Sequence, residues 1–132
     1  MDKTGQLIVV VEDDDSLRQA LQRVLAAGGY RTRVFSSAEA MLANGAEADA
    51  LCLVLDIHLP GTSGLALYEG LGASRPPVVF MSADESTSYR VVAARLGASA
   101  FLCKPFLGSV LLGAVAQATA SPRRSLPPSA PG

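Results

Sequence analysis

The chain has 132 residues, 49% of them hydrophobic and 17% charged, with a formal net charge of −1. That is enough for one ordinary domain with a real core and too apolar for a disordered chain. The near-neutral balance, with no Lys/Arg-rich block, argues against direct nucleic-acid binding, and no apolar stretch approaches the length of a membrane span.

Taken in chain order, the first element is "LIVVV" (7–11), a continuous apolar run of the kind found in parallel strands covered on both faces. It ends without a spacer in Glu12-Asp13-Asp14-Asp15. Carboxylates this close repel by about 4 kcal/mol per pair at 4 Å in a medium of effective dielectric 20, a cost that folding does not require. A helix follows, with Leu17, Leu21, Val24 and Leu25 on one face and a stop at Gly28-Gly29. Ser16 with Gln19 fits a capping box at its start, while Asp14 and Asp15 cap and charge its N-terminus. "TRVF" (32–35) alternates and suits a more exposed strand near a sheet edge.

The pattern then repeats. A helix over 37–44 precedes the apolar run "LCLVL" (51–55), a helix over 64–72 precedes "VVFM" (78–81), and a helix over 86–96 precedes "AFLC" (100–103). A last helix is predicted over 107–119. Strand and helix alternate five times, which implies a three-layer α/β sandwich with right-handed crossovers. After Ala120 the composition turns to Pro and Ser, so the expected division is a folded domain over 1–120 and a disordered tail or linker over 121–132. Cys52 and Cys103 lie inside apolar runs and read as buried reduced thiols; with His58 the one histidine, a Cys/His metal site has too few ligands. Met1-Asp2-Lys3 opens no signal peptide, so a cytoplasmic location is expected.

The polar residues fall at telling places. Glu12 and Asp13 follow the first run, Asp56 follows "LCLVL", Ser82 follows "VVFM" and Lys104 follows "AFLC". In open α/β sheets the carboxyl ends of the strands are where ligands bind, so residues spread over more than ninety positions converge on one site. Three carboxylates facing one another call for a hard cation, with Mg²⁺ the usual choice. An amine and a hydroxyl beside them suit phosphoryl oxygens, and a carboxylate so placed can act as a phosphoryl acceptor. Asp56 stands alone at its strand end and is the candidate acceptor, whereas Glu12 and Asp13 are paired for metal.

The set "EDD" (12–14), "LDIHLPGTSG" (55–64), "MSAD" (81–84) and "KPF" (104–106) resembles the receiver domain of two-component response regulators, over roughly residues 6 to 119. The resemblance implies a flavodoxin-like (βα)5 doubly wound sandwich with a parallel sheet in the order 2-1-3-4-5. It implies Asp56 as phosphoacceptor for a sensor histidine kinase or phosphotransfer protein. Asp13, Asp56 and the His58 backbone carbonyl would bind Mg²⁺, with Glu12 acting through a bound water. Lys104 and the Ser82 hydroxyl would pair with the phosphoryl group, and the backbone N–H groups of His58 and Ala83 would complete its cradle. Phe101 takes the place of the family's aromatic switch residue, and Pro105 that of its cis-proline. The side chains of His58 and Asp84 border the path of attacking water and would tune phosphoryl lifetime.

Residues 105–122 carry no charge, and the apolar 107–119 helix suggests a face for a downstream protein or a second copy of the chain. Two functions follow from the resemblance: a stand-alone receiver acting by protein binding, or the receiver half of a DNA-binding transcriptional regulator whose output domain is absent from this chain. The tail is too short for such a domain, which favours the first. Haloacid-dehalogenase-like phosphatases also use an Asp nucleophile with Mg²⁺ but want a second Asp two residues on, where this chain has His58. The expectation is therefore a protein that catalyses its own phosphorylation and slow dephosphorylation and is not a turnover enzyme.

Overall fold

In the computed structural model, which describes residues 6–84 and 86–120, every apolar run becomes a strand of one parallel sheet. The strands are β1 (Leu7–Val11), β2 (Arg31–Phe35), β3 (Cys52–Asp56), β4 (Val78–Ser82) and β5 (Ala100–Cys103), and their order is β2-β1-β3-β4-β5. Among the described residues five helices alternate with them: α1 (Asp15–Ala27), α2 (Ala38–Asn44), α3 (Gly64–Gly70), α4 (Thr87–Arg95) and, after the last strand, α5 (Gly108–Ala120). A short 3-10 turn over Ala46–Asp49, absent from the sequence reading, leads into β3. The fold is flavodoxin-like.

Side chains alternate across the sheet and so build two cores. Val9, Val11, Leu53, Leu55, Val78 and Phe80 face α2, α3 and Ala93 of α4. Ile8, Val10, Val54, Val79 and Met81 face the other way, onto Leu21 and Leu25 of α1 and Leu111 and Val115 of α5. Because β1, β3 and β4 are buried along their whole length, their sequences show apolar runs in place of alternation. The edge strand β2 is half-exposed, as its alternation predicts.

Three expectations need correction. The first helix is not capped by Ser16 with Gln19: Asp14 is the N-cap, its Oδ1 accepting from the Leu17 N–H at 2.8 Å, which leaves Ser16 inside the first turn. The "AFLC" run is not covered on both faces, since β5 lies at the open edge of the sheet and buries Leu102 alone. Cys103 is accordingly half-exposed, whereas Cys52 is buried, and desolvation pushes its thiol up to about 12. The predicted tail over 121–132 lies outside the described residues.

Candidate phosphoryl-transfer site at the carboxyl edge of the sheet

The sheet order delivers β1, β3, β4 and β5 side by side, and the residues at their C-terminal ends meet in one crevice. Glu12 follows β1 directly and is 1% exposed; Asp56, the last residue of β3, is 3% exposed. Asp13 stands beside them in solvent. One carboxylate oxygen from each of the three lies within 4.8 Å of the others, a hard, all-oxygen donor set of the type divalent cations take.

Lys104 arrives from the end of β5. Its Nζ donates to Glu12 Oε1 at 2.7 Å and to Asp56 Oδ2 at 2.9 Å. Burial raises the Glu12 carboxyl above its ordinary value, and the Lys104 and Asp14 hydrogen bonds recover part of that cost. For Lys104, burial pulls the ammonium down, but its bonds to Glu12 and Asp56 outweigh it and the net direction is up. The asymmetry follows exposure: the Lys104 side chain keeps 19% of its surface in solvent and Glu12 keeps 1%.

Local structure fixes the two buried acids. Glu12 Oε2 accepts from the Asp14 N–H at 3.1 Å, and Arg18 reaches back from α1 to donate to the Glu12 carbonyl at 3.0 Å. Asp56 Oδ1 accepts from the His58 N–H at 3.0 Å. Behind Asp56 the chain turns so tightly that a Cβ on Gly64 would sit 2.1 Å from the Asp56 carbonyl oxygen, so α3 can start there with glycine alone. Glu39 of α2 accepts from the Thr62 N–H at 3.0 Å and holds the far side of that turn; this bonding, first to its own backbone, lowers its carboxyl.

The other sequence candidates, and the His58 side chain, have partners of their own around this centre. Ser82 is buried at the end of β4, but its Oγ donates to the Asp84 carbonyl at 3.0 Å and accepts from the Asp84 N–H at 2.9 Å. Ala83 is exposed in the bend that follows. The exposed His58 ring packs edge-on against Tyr89 of α4, centroids 4.9 Å apart. Phe101 is half-buried on β5 under the Arg90 guanidinium, 4.6 Å from its centroid. The Lys104–Pro105 peptide bond is cis, as the resemblance implies. Arg18, Gly64, Tyr89 and Arg90 are the surrounding residues that sequence reasoning missed. Of these Gly64 alone left a trace, as the closing glycine of "PGTSG".

This arrangement has known relatives. The response regulator receiver domain family matches residues 8–116. The chain belongs to that family. The receiver is 36% identical over 108 residues to the transcriptional regulatory protein FixJ of Azorhizobium caulinodans, covering 80% of this chain and 51% of that protein. It is 37% identical over 123 residues to nodulation protein W of Bradyrhizobium diazoefficiens, covering 92% of this chain and 54% of that one. Among solved structures, the non-phosphorylated HemR receiver domain from Leptospira biflexa superposes with a TM-score of 0.81 at 25% identity, over 90% of this chain and 98% of that one. The receiver spans about half the length of the curated relatives it matches. Among its described residues no helix is long and apolar enough to cross a membrane.

Proposed function

We propose that this receiver takes a phosphoryl group onto Asp56 from a sensor histidine kinase or a phosphotransfer protein, and that the modified site alters how the domain binds another protein. One observation carries the reading: Lys104 Nζ bridges the buried carboxylates of Asp56 and Glu12, with Asp13 alongside. Mg²⁺ suits this donor set, held by Glu12, Asp13, Asp56 and the His58 backbone carbonyl, and when bound it would offset the charge of the incoming phosphoryl oxygens.

The chain's own groups do the rest. An Asp56 oxygen attacks phosphorus; the bond from phosphorus to the donor nitrogen breaks, and its electron pair leaves with the donor. The His58 N–H holds Asp56 Oδ1 and so orients the carboxylate before attack. Lys104 turns from Asp56 to the new phosphoryl oxygens, for which an ammonium is a matched donor. The Ser82 hydroxyl gives up its Asp84 partner for the same group, Ala83 adds a backbone N–H, and Phe101 repacks into the space Ser82 leaves. The His58 and Asp84 side chains flank the approach of water and set the lifetime of the product. The domain thus promotes its own phosphorylation and dephosphorylation and turns over no separate substrate.

The phosphodonor's docking surface is assigned to the adjoining groove between α1 and the start of α5, about 290 Å³, lined by Leu17, Ala20, Val24, Phe106 and Leu111 and reaching Lys104. Binding of the phosphoryl mimic beryllofluoride with Mg²⁺, followed by amide NMR, tests the whole reading. Shifts are expected at Asp56, His58 and Ala83 and into α4, and none in Asp56→Asn. Shifts of equal size in that variant would place the acceptor elsewhere.

A second reading has its own support. Longer relatives include proteins named as transcriptional regulators, so the same module would serve as the receiver portion of a DNA-binding regulator. In both readings the domain works in the cytoplasm, and its own surface makes no direct nucleic-acid contact. The native reading frame, sequenced through its stop codon, separates the two.

A further inference from the structure

We propose that Arg90 is a latch holding α4 and the Phe101 ring in the arrangement of the unphosphorylated protein, and that its release is part of the response. The proposal rests on the receiver reading above and adds a residue to it. α4 is lightly anchored, sending only Ala93 fully into the core. Its first turn is held instead by two consecutive side chains. Tyr89 meets the His58 ring, two residues beyond Asp56, edge-on at 4.9 Å. Arg90 lies 4.6 Å over the Phe101 ring and donates from Nη2 to Cys103 Sγ at 3.0 Å.

Phe101 and Cys103 are two apart on β5, so they point to the same side of the sheet, and one guanidinium spans both. In register they pair with Phe80 and Ser82 of β4, and Cys103 immediately precedes Lys104. Arg90 therefore grips the strand that carries the site's cation. The approach to α4 is also held by Ser82, whose hydroxyl makes both bonds to the Asp84 backbone. Once Ser82 turns toward a phosphoryl group, those two bonds are lost together, and the first turn keeps its Ser86 cap and the Arg90 and Tyr89 contacts. A thiol is a weak acceptor and an exposed cation–ring contact a modest one. A latch built from them biases the equilibrium and does not lock it.

Arg90→Gln removes the charge at nearly constant size; Arg90→Lys keeps a charge but loses the planar fork. With acetyl phosphate and Mg²⁺, Arg90→Gln should phosphorylate about two- to fivefold faster than wild type, the span expected for an exposed cation over a ring, with Arg90→Lys between. The direct readout is fluorine NMR of the full chain labelled with 4-fluorophenylalanine, the 101 signal assigned by Phe101→Leu. In unphosphorylated Arg90→Gln that signal should move toward its position in phosphorylated wild type. An unmoved signal with an unchanged rate overturns the latch. If wild type itself gains no phosphoryl group, the Asp56 reading fails, and the latch is judged on whether Arg90→Gln displaces the signal at all: a displacement supports it and a fixed signal overturns it.

Discussion

Lys104 is one cation facing two buried carboxylates, and its removal should be felt as uncompensated charge. We expect Lys104→Met to lower stability by about 2–3 kcal/mol at pH 7 in chelator, below the cost for a fully buried pair because the lysine is partly solvated. Urea unfolding measures it, and added Mg²⁺ should recover part of the loss. The pH dependence has a definite sign. Burial raises the folded Glu12 carboxyl above 4.5. Between those two values the unfolded chain is ionised while the folded chain keeps its proton, so this group's contribution is full below about pH 4.5 and declines as pH rises through the folded value. The Lys104→Met deficit should therefore shrink toward pH 4.5; a deficit that stays constant from pH 7 to 4.5 would contradict the charge argument. Lys104, also raised, contributes fully below about 10.5, and that contribution is lost as pH climbs through its folded value. Glu12, Asp13, Asp56 and Lys104 were legible in sequence because each follows an apolar run, and the ends of parallel strands share one edge. Arg90 and Tyr89 were not, because nothing in a helical sequence tells which of its residues will overlie a neighbouring strand or loop.

At the scale of elements, two glycine substitutions should behave oppositely. Gly64→Ala puts a Cβ 2.1 Å from the Asp56 carbonyl oxygen, a backbone atom that has no freedom to move aside. Chemical denaturation should show a loss of about 3 kcal/mol, with slower phosphorylation because Asp56 itself is displaced. Gly113 in the middle of α5 is exposed and meets nothing within 4 Å, so Gly113→Ala should stabilise by about 0.5–1 kcal/mol. Element identity was readable wherever burial was uniform, as in β1, β3 and β4. It was misread where position in the sheet decided burial: "AFLC" has the composition of a central strand, but β5 is an edge. The capping box failed for a local reason. Asp14 comes first along the chain and already accepts from the Leu17 N–H, so Ser16 has no terminus left to cap.

At the scale of the molecule, the sheet order alone accounts for the site, because placing β1 between β2 and β3 brings Glu12 and Asp56 into one crevice. The same architecture leaves α5 without a charged residue, with Leu107 71% and Val110 44% exposed at its start. We propose that this face meets a downstream protein or a second copy. Sedimentation of the wild type should show self-association that strengthens on phosphorylation, and Leu107→Lys with Val110→Lys should abolish it. A strict monomer at high concentration in both states would exclude the second copy as occupant. The central claim, that Asp56 is a metal-assisted phosphoryl acceptor, has a more direct test in intact mass after incubation with acetyl phosphate and Mg²⁺. Wild type should gain one phosphoryl group, and neither Asp56→Asn nor wild type in chelator should gain any. An equal gain in Asp56→Asn, or none in wild type, would contradict it.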